Sequence, residues 1–430
     1  MLTIAYHTLG CKVNQYETEK MREALETAGF RTVPFSGCAD AYIINTCSVT
    51  SVADGKSRAA IRRALRLNPD AFVVVAGCYA ALEPAQVQAI EGVDLVVPHG
   101  EKELIPERIR AHFGASTPTD PHPTTPKPRM RTRAVVKVQD GCDQFCAYCV
   151  IPYARTGRTS RPMASIMDEL RALAGFGYRE IVLAGIRLGS YDADEIRLPE
   201  LISCAAEIDG IERIRLSSIE PWEVDDALLD AMSSPKVCRH LHIPLQSGDD
   251  AVLGRMGRPY RSEEYRTIIS KVRDRIEGVG ITTDVIVGFP GETDEEFENT
   301  CNLIRSVDFS RLHVFRYSPR PRTRAASMPD QVEAGVKKLR ADKLIDLGKL
   351  ATTRFASSQV GKELSVLVES EVSGQGCPET IGIATNKHFT GFGDNYVEVV
   401  LPGDSSLKKN IVKVLITGVD QDGRALGTLT

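Results

Sequence analysis

The chain has almost no net charge. Its 53 Lys and Arg residues stand against 57 Asp and Glu, a formal −4 over 430 residues. No bulk field therefore marks a nucleic-acid partner, and any affinity for RNA has to come from local patches. No apolar run reaches membrane-spanning length, so no membrane partner is expected. The stretch from Met1 to His7 has no basic segment followed by an apolar core, so no signal peptide is expected there. Eleven cysteines without a secretion signal point to a reducing, cytoplasmic setting, where thiols serve metals or catalysis more often than disulfides. The length suggests roughly two to four domains with ample core.

A second pair of close cysteines is also missing, and this matters for the one cluster that is present. Cys142, Cys146 and Cys149 fall within the run Gly141-Cys-Asp-Gln-Phe-Cys-Ala-Tyr-Cys149. Three thiolates at this spacing can hold three corners of a cubane iron–sulfur cluster. No further Cys follows within the next fifty residues, so one iron is left open, and an open metal position is where a substrate binds. The rival is a zinc knuckle or three unrelated thiols. Zinc sites usually show paired Cys-x-x-Cys units with a fourth Cys or His.

The organisation reads in blocks. Residues 114–128 hold five prolines and no apolar period, which is the composition of a semi-rigid linker. Before it, short β-forming runs at 2–7, 41–45, 72–76 and 95–98 alternate with helical segments at 17–28, 52–67 and 84–91. That alternation predicts a doubly wound parallel sheet. After it, strands at 134–139, 180–184, 213–217, 240–244, 282–287 and 311–316 alternate with helices at 163–175, 198–208, 225–233, 262–277 and 294–307. Six such units predict a partial (β/α)6 barrel of the TIM type, with functional loops at the strand carboxyl ends. A long charged helix spans about 331–359. The last block has strands at 364–368, 396–400 and 411–416 with Gly-rich connections at 374–376 and 391–393, the pattern of a small antiparallel β-barrel. The expected domains are 1–113, a linker at 114–133, 134–358 and 359–430.

Three more cysteines share a register. Cys11, Cys47 and Cys78 each follow a predicted strand, and those loops lie on one edge of a parallel sheet. Gly10, Asn45-Thr46 and Gly77 beside them would let the backbone approach a bulky ligand. The three converge on a second cluster or are ordinary buried thiols, and geometry leaves both open. Cys38, Cys204, Cys238, Cys301 and Cys377 show no register and read as packing residues.

Taken together, these motifs resemble one family. Cys142-x-x-x-Cys146-x-Tyr148-Cys149 followed by Ile151-Pro152 resembles the radical S-adenosylmethionine (radical SAM) signature as it occurs in methylthiotransferases. The runs Thr8-Leu-Gly-Cys11-Lys-Val-Asn14-Gln-Tyr-Glu17-Thr-Glu19, Asn45-Thr-Cys47-Ser-Val-Thr50 and Ala76-Gly-Cys78 resemble that family's N-terminal cluster motifs. The C-terminal barrel falls where the family carries a TRAM domain. The wording after Cys11 is most similar to the enzymes acting on N6-threonylcarbamoyladenosine beside the tRNA anticodon. Relatives acting on isopentenyladenosine or on a ribosomal-protein aspartate are the nearest alternatives. From another class, a non-catalytic iron–sulfur RNA-binding protein stays in view.

The resemblance implies two 4Fe–4S clusters and S-adenosylmethionine as cofactors. The cluster on Cys142, Cys146 and Cys149 would bind S-adenosylmethionine at its open iron and, after one-electron reduction, yield a 5′-deoxyadenosyl radical. The cluster on Cys11, Cys47 and Cys78 would carry the sulfur, methylated by a first S-adenosylmethionine before transfer to C2 of the adenine. The resemblance also implies tRNA, an electron donor such as a flavodoxin or ferredoxin, and a sulfur source as partners. Barrel geometry adds candidate cofactor contacts at strand ends: Gly185, Ser217, Ser218, Glu220, Gln246 and Ile286, with Tyr148 between two ligands. Glu220 is typed to accept ribose hydroxyls. Glu292 reads as the cap of the helix starting near Asp294.

Basic residues cluster locally. Lys127, Arg129, Arg131 and Arg133 end the linker, Arg155, Arg158 and Arg161 follow the cysteine triad, and Arg316, Arg320, Arg322 and Arg324 fall within nine residues. Phosphate contact is the expectation for these patches. Arg187 could meet a substrate carboxylate or serve a structural ion pair. Residues 359–430 carry six bases against nine acids, so exposed Phe389 and Phe392 are the better candidates there for stacking on unpaired bases.

Overall fold

The computed structural model describes residues 1–114, 131–372 and 387–430. Residues 115–128 of the Pro-rich stretch, Lys127, Arg129, Cys377 and the Gly374–Gly376 connection lie outside the described residues. The chain divides into two compact units that are not contiguous in sequence. One holds residues 1–129, 140–159 and 318–327, and the other holds 130–139, 160–317 and 328–430.

The first unit is built on a five-stranded parallel sheet of β1 (Thr3–Thr8), β2 (Arg31–Val33), β3 (Ala41–Thr46), β4 (Phe72–Gly77) and β5 (Leu95–Val96), in the order β2-β1-β3-β4-β5. Helices α1 (Lys12–Thr27), α2 (Ser51–Leu67), α3 (Cys78–Leu82), α4 (Pro84–Gln88) and α5 (Ile105–His112) surround it. β3 is buried at every position and β4 at all but Phe72, which matches their unbroken Ile/Val/Ala runs, as expected for strands covered on both faces. Tyr42, Ile44, Val73 and Val75 pack with α2 residues Ala60, Ile61 and Ala64 on one side. Ile4, Ile43, Val74 and Ala76 pack with Met21, Leu25, Ile105 and Ile109 on the other. A short helix, α6 (Ile151–Ala154), follows the cysteine triad in the same unit.

The second unit contains six parallel strands in sequence order. β6 (Arg133–Asp140), β8 (Glu180–Gly185) and β11 (Arg213–Leu216) pair with one another, with β7 (Thr159–Ser160) at their edge. β12 (His240–His242), β13 (Gly280–Val287) and β14 (Arg311–Arg316) form the continuation. The parallel bridges Ile214↔Val237 and Ser218↔His242 join the halves. A two-stranded ribbon, β9 (Asp192–Ala193) and β10 (Ile196–Arg197), sits in one connection. Helices α7 (Met163–Gly175), α8 (Leu198–Ala206), α9 (Asp226–Ala231), α10 (Asp250–Met256), α11 (Ser262–Arg275) and α12 (Asp294–Ser306) complete the units. Their apolar faces, for example Leu170, Leu201, Leu228, Tyr265 and Phe297, bury against strand residues such as Ile181, Leu183, Ile214 and Ile281. α13 (Ala334–Ser357) then leads to a closed barrel of β15 (Glu363–Glu371), β16 (His388–Gly393), β17 (Glu398–Pro402), β18 (Ile411–Val419) and β19 (Ala425–Leu429), in the order β15-β16-β17-β19-β18. Its pairs are antiparallel except for β17 with β19.

The doubly wound sheet, the partial barrel and the small terminal barrel are thus all present. Several details differ from the sequence reading. α1 starts at Lys12 rather than at residue 17, because Cys11 itself takes the extended N-cap position. Cys78 opens a helix instead of lying in a loop. Gly391 and Gly393 belong to β16 rather than to a connection, where Cβ-free positions let β15 approach: a Cβ on Gly391 would lie 2.3 Å from the Leu367 carbonyl oxygen. β17 begins at Glu398, because Tyr396 turns with φ +68°. α5, α10 and β19 carried too short a period to be read. Phe389 is fully buried in the terminal core, and Phe392 stacks on Tyr396 with the Arg133 guanidinium 5.0 Å away. Neither stands exposed for base stacking. Cys38 and Cys204 are exposed rather than packed, whereas Cys238 and Cys301 are buried.

Candidate functional site

The first unit gathers both cysteine triads. β1, β3 and β4 are adjacent and parallel, and Thr8 pairs with Asn45 and Thr46 with Gly77. Cys11, Cys47 and Cys78 therefore leave the sheet at one edge. The chain runs from β1 outward to β2 and then back to β3, so Cys11 and Cys47 flank the point where the strand order reverses. Open α/β sheets place ligands at such points. The three reduced thiols lie close enough for Cys47 to feel both Cys78 and Cys11.

The surroundings suit a cluster held by thiolates. Gly10 takes φ +95°, and a Cβ there would meet the Cys47 Sγ at 2.9 Å, so the missing side chain keeps a cradle beside the sulfur. Gly77 takes φ +97°, and a Cβ would lie 2.3 Å from the Thr46 carbonyl oxygen. Burial pushes the Cys47 thiol up to about 11, opposed by the backbone N–H groups of Val49 and Ser48. Desolvation also raises the Cys11 thiol, opposed first by Arg155 and then by the backbone N–H of Asn14. Amide hydrogen bonds to sulfur and a nearby cation are the levers by which proteins hold cluster thiolates. The donor set therefore fits an iron–sulfur cluster.

Cys142, Cys146 and Cys149 form a tight turn in the same unit. The Cys149 amide donates to the Cys146 carbonyl at 3.0 Å, and the Gln144 amide donates to the Cys142 Sγ at 3.5 Å. Gly141, at φ +74°, starts the turn: a Cβ there would lie 1.6 Å from the Gly157 carbonyl oxygen. Tyr148 is half-buried beside the triad. Three thiols on one short turn with an amide on one sulfur again fit a cluster.

A buried polar network lies among these loops. Arg155 is completely inaccessible. It donates to Asn14 at 2.6 Å, to both Glu17 oxygens at 2.9 and 3.0 Å, and to both Asp140 oxygens at 2.7 and 2.9 Å. Burial alone would lower its pKa, but Glu17 first, then Cys78 and Asp140, hold it charged. Lys102 joins Glu17 and donates to Asn45, and His99 approaches Asp140 at 3.4 Å. Asn14 in turn donates to the Leu9 carbonyl at 2.7 Å and the Thr46 carbonyl at 2.9 Å. Arg320, 4% exposed, contacts Asp54 at 2.6 Å and Ser48 at 2.7 Å. Cys78 packs with Leu82, Val150 and Ala154.

These contacts correct part of the expected phosphate patch. Arg155 and Arg320 cannot reach a substrate, because their head groups are buried, the first on Glu17, Asp140 and Asn14 and the second on Asp54 and Ser48. Arg133 is spent on Glu180 at 3.0 Å and Glu369 at 2.9 Å, and Arg161 on Glu169 at 2.8 Å. Arg131, Arg158, Arg316, Arg322 and Arg324 remain at the surface, with Arg322 donating to the Leu82 carbonyl at 2.9 Å. Sequence reasoning missed Lys102 and His99 altogether. Asn14 and Glu17, one helical turn apart after Cys11, were the available signal, since polar residues at that spacing share a helix face.

In the second unit the expected cofactor contacts do stand at strand ends. Gly185 closes β8, and its amide donates to Ser217 at 3.3 Å. A Cβ there would meet Gln139 at 2.8 Å. Ser218 is exposed, and Glu220 is held by Arg258. Gln246 is buried at φ +64° and takes the Ile286 amide on its carbonyl at 2.9 Å. Ile286 is half-buried near the end of β13. Arg187 pairs with Glu223 at 2.6 Å, which is the structural of its two readings. Glu292 does not cap α12. Thr293 does, in a capping box with Glu296, while Glu292 is buried against Arg340 at 2.7 Å and accepts from the Gly288 amide at 2.6 Å. His242, Asp284 and His313 form a hydrogen-bonded trio on adjacent strands, with Asp284 accepting from both rings at 3.2–3.3 Å.

Residues 3–98 match the family described as "Uncharacterized protein family UPF0004", and residues 136–304 match the radical SAM superfamily. A threonylcarbamoyladenosine tRNA methylthiotransferase from Bacillus subtilis is 41% identical, covering 97% of this chain and 94% of that protein. One from Thermotoga maritima is 40% identical, over 86% and 87%. A tRNA-2-methylthio-N(6)-dimethylallyladenosine synthase from Geotalea uraniireducens is 34% identical, over 96% of each. Among solved structures, a radical S-adenosylmethionine methyltransferase from Kitasatospora setae shares the fold, with a TM-score of 0.57 and 18% identity over 75% of this chain and 77% of that one. No described helix is long and apolar enough to cross a membrane. The chain belongs to the radical S-adenosylmethionine methylthiotransferases and is an enzyme that transfers sulfur-containing groups.

Proposed function

We propose that this enzyme places a methylthio group on C2 of N6-threonylcarbamoyladenosine beside the tRNA anticodon, with two molecules of S-adenosylmethionine and two 4Fe–4S clusters. The observation that carries the substrate is the order of similarity. The Bacillus and Thermotoga relatives, both named for the threonylcarbamoyl nucleoside, exceed in identity the Geotalea relative named for the dimethylallyl nucleoside. The gathering of two cysteine triads in one compact unit supports two clusters.

In this reading Cys142, Cys146 and Cys149 hold the cluster that binds S-adenosylmethionine, and Cys11, Cys47 and Cys78 hold the auxiliary cluster. When bound, the pair supplies a carbon-centred radical and the sulfur to be transferred. The chain's own residues orient and insulate. Gly10 and Gly77 keep room beside the auxiliary site, and the amides of Asn14, Ser48, Val49 and Gln144 stabilise anionic sulfur. Glu220, oriented by Arg258, offers carboxylate lone pairs to ribose hydroxyls. Gly185, Ser218, Gln246 and Ile286, with Tyr148 beside the triad, are the further cofactor contacts. Exposed Arg158, Arg316, Arg322 and Arg324 meet RNA phosphate. A flavodoxin- or ferredoxin-like reductant, a sulfur source and a cytoplasmic setting follow from the same reading. Functionally, residues 1–113, 134–358 and 359–430 serve as sulfur-carrying, radical-generating and TRAM domains.

Mass spectrometry of tRNA nucleosides from cells lacking the protein tests the substrate. The 2-methylthio form of threonylcarbamoyladenosine disappears and returns with the restored gene. Its persistence, or loss of the isopentenyl counterpart instead, refutes the assignment.

A further inference from the structure

Two buried guanidinium groups tie the cysteine loops to one another through hydrogen bonds and ion pairs with other side chains. Arg155 lies six residues after Cys149. Its fork closes on Asp140, two residues before Cys142, and on Asn14 and Glu17, which follow Cys11 on α1. Asn14 relays the tie to the Leu9 carbonyl, two residues ahead of Cys11, and to the Thr46 carbonyl, one residue ahead of Cys47. Arg320 makes the second tie. It binds Ser48 and Asp54, just past Cys47. Five residues on, the Ala325 amide donates to the Ala147 carbonyl beside Cys146 at 2.9 Å. Ser318 of the same segment meets Ser51 at 3.0 Å. An apolar contact of Cys78 and Leu82 with Val150 and Ala154 completes the set.

We propose that Arg155 and Arg320 are positioning residues that fix the separation of the two cysteine triads, so that methylthio transfer stays coupled to radical formation. The physical reason is the rigidity of a buried guanidinium seated on carboxylates, Glu17 and Asp140 for Arg155 and Asp54 for Arg320. Such a group cannot slide without leaving buried charge unpaired, which is strongly unfavourable. Loops held only by backbone turns would have no such constraint. Reactive groups misplaced by an ångström lose up to about a hundredfold in rate. In a loosened site the radical would take a hydrogen atom from a protein or buffer C–H bond instead of the nucleobase, so cofactor cleavage to 5′-deoxyadenosine would continue while transfer fails. The inference rests on the two-cluster reading of the proposed function.

The test uses the full chain with its clusters reconstituted anaerobically, in wild type, Arg155→Lys, Arg155→Met and Arg320→Met. Iron is counted first, then the electron paramagnetic resonance of the reduced protein is recorded for coupling between clusters. Finally the ratio of 5′-deoxyadenosine released to nucleoside modified is measured. Wild type with only about four irons per chain overturns the two-cluster reading itself. With about eight irons in wild type, the inference expects the deoxyadenosine-to-product ratio to rise on the order of 10- to 100-fold in Arg155→Met and Arg320→Met. It also expects altered spin coupling and partial recovery in Arg155→Lys, which keeps the charge but not the fork. Should Arg155→Met fail to retain its irons, Arg155→Lys and Arg320→Met are read by the same ratio. A wild-type ratio and wild-type coupling in the iron-replete variants overturn the inference.

Discussion

Asn14 accepts a hydrogen bond from Arg155 at 2.6 Å across 141 residues of chain. Its amide nitrogen is committed elsewhere, to the carbonyls of Leu9 and Thr46, so the side chain has one workable orientation. The requirement is for an amide rather than a carboxylate, because two of its partners are acceptors and one is a donor.

Asn14→Asp tests that requirement with almost no change in shape. It sets a carboxylate oxygen against two carbonyls in a buried position, and it is expected to cost about 1–3 kcal/mol. Urea unfolding followed by circular dichroism measures the loss. A midpoint unchanged from wild type shows that the orientation does not matter.

Gly141→Ala probes the turn that presents Cys142. The added Cβ would fall 1.6 Å from the Gly157 carbonyl oxygen at a φ of +74°, so the turn has to open. Bound iron is expected to fall to about half of wild type, because the Cys11, Cys47 and Cys78 set is untouched. Undiminished iron contradicts the role given to the turn.

Glu180 is the hub of the second unit. It is fully buried among Arg215 at 2.7 Å, Arg133 at 3.0 Å and Arg213 at 3.3 Å. The same Arg213 and Arg215 donate to carbonyls of Ser365, Phe392, Gly393 and Asp394 in the terminal barrel. Glu180→Gln strands two buried cations, Arg213 and Arg215, and leaves Arg133 to Glu369; it is expected to cost about 3–5 kcal/mol. Denaturant unfolding checks this, and a loss below about 1 kcal/mol would show that the arginines find other partners.

Acid should expose the same group. Burial alone would raise the Glu180 carboxyl, but Arg215 first, then Arg133 and Arg213, bring it down to about 2. Its folded value therefore lies below the unfolded range near 4.3. The stabilisation is present above that range and is lost as pH falls toward 2. Stability of Glu180→Gln should accordingly fall less steeply than wild type between about pH 4.5 and 2. Parallel slopes across that window would contradict the assignment.

Much of this was legible in the sequence because it rests on short-range pattern. The unbroken apolar runs at β3 and β4 announced a covered parallel sheet, and the Cys142 spacing announced three thiols on one short turn. The strand-end register of Cys11, Cys47 and Cys78 was readable once the strands were placed. What could not be read was pairing at a distance. Arg155 and Arg320 looked like phosphate ligands because a basic run gives no sign of the carboxylates that will bury it. Glu17 and Asp140 lie 138 and 15 residues from Arg155, and only the fold brings them together. Phe389 looked like a stacking platform because a period-two strand does not state which face is inward until the barrel closes.

Turnover by the reconstituted enzyme decides between the two nucleoside substrates. Purified protein with about eight irons per chain, S-adenosylmethionine and a strong reductant is offered tRNA bearing threonylcarbamoyladenosine or isopentenyladenosine, and the nucleosides are weighed by mass spectrometry. The 2-methylthio product is expected from the threonylcarbamoyl substrate and is lost in Cys47→Ala, with S-adenosylmethionine cleavage retained. Product from the isopentenyl substrate alone, or undiminished product from Cys47→Ala, would contradict this expectation.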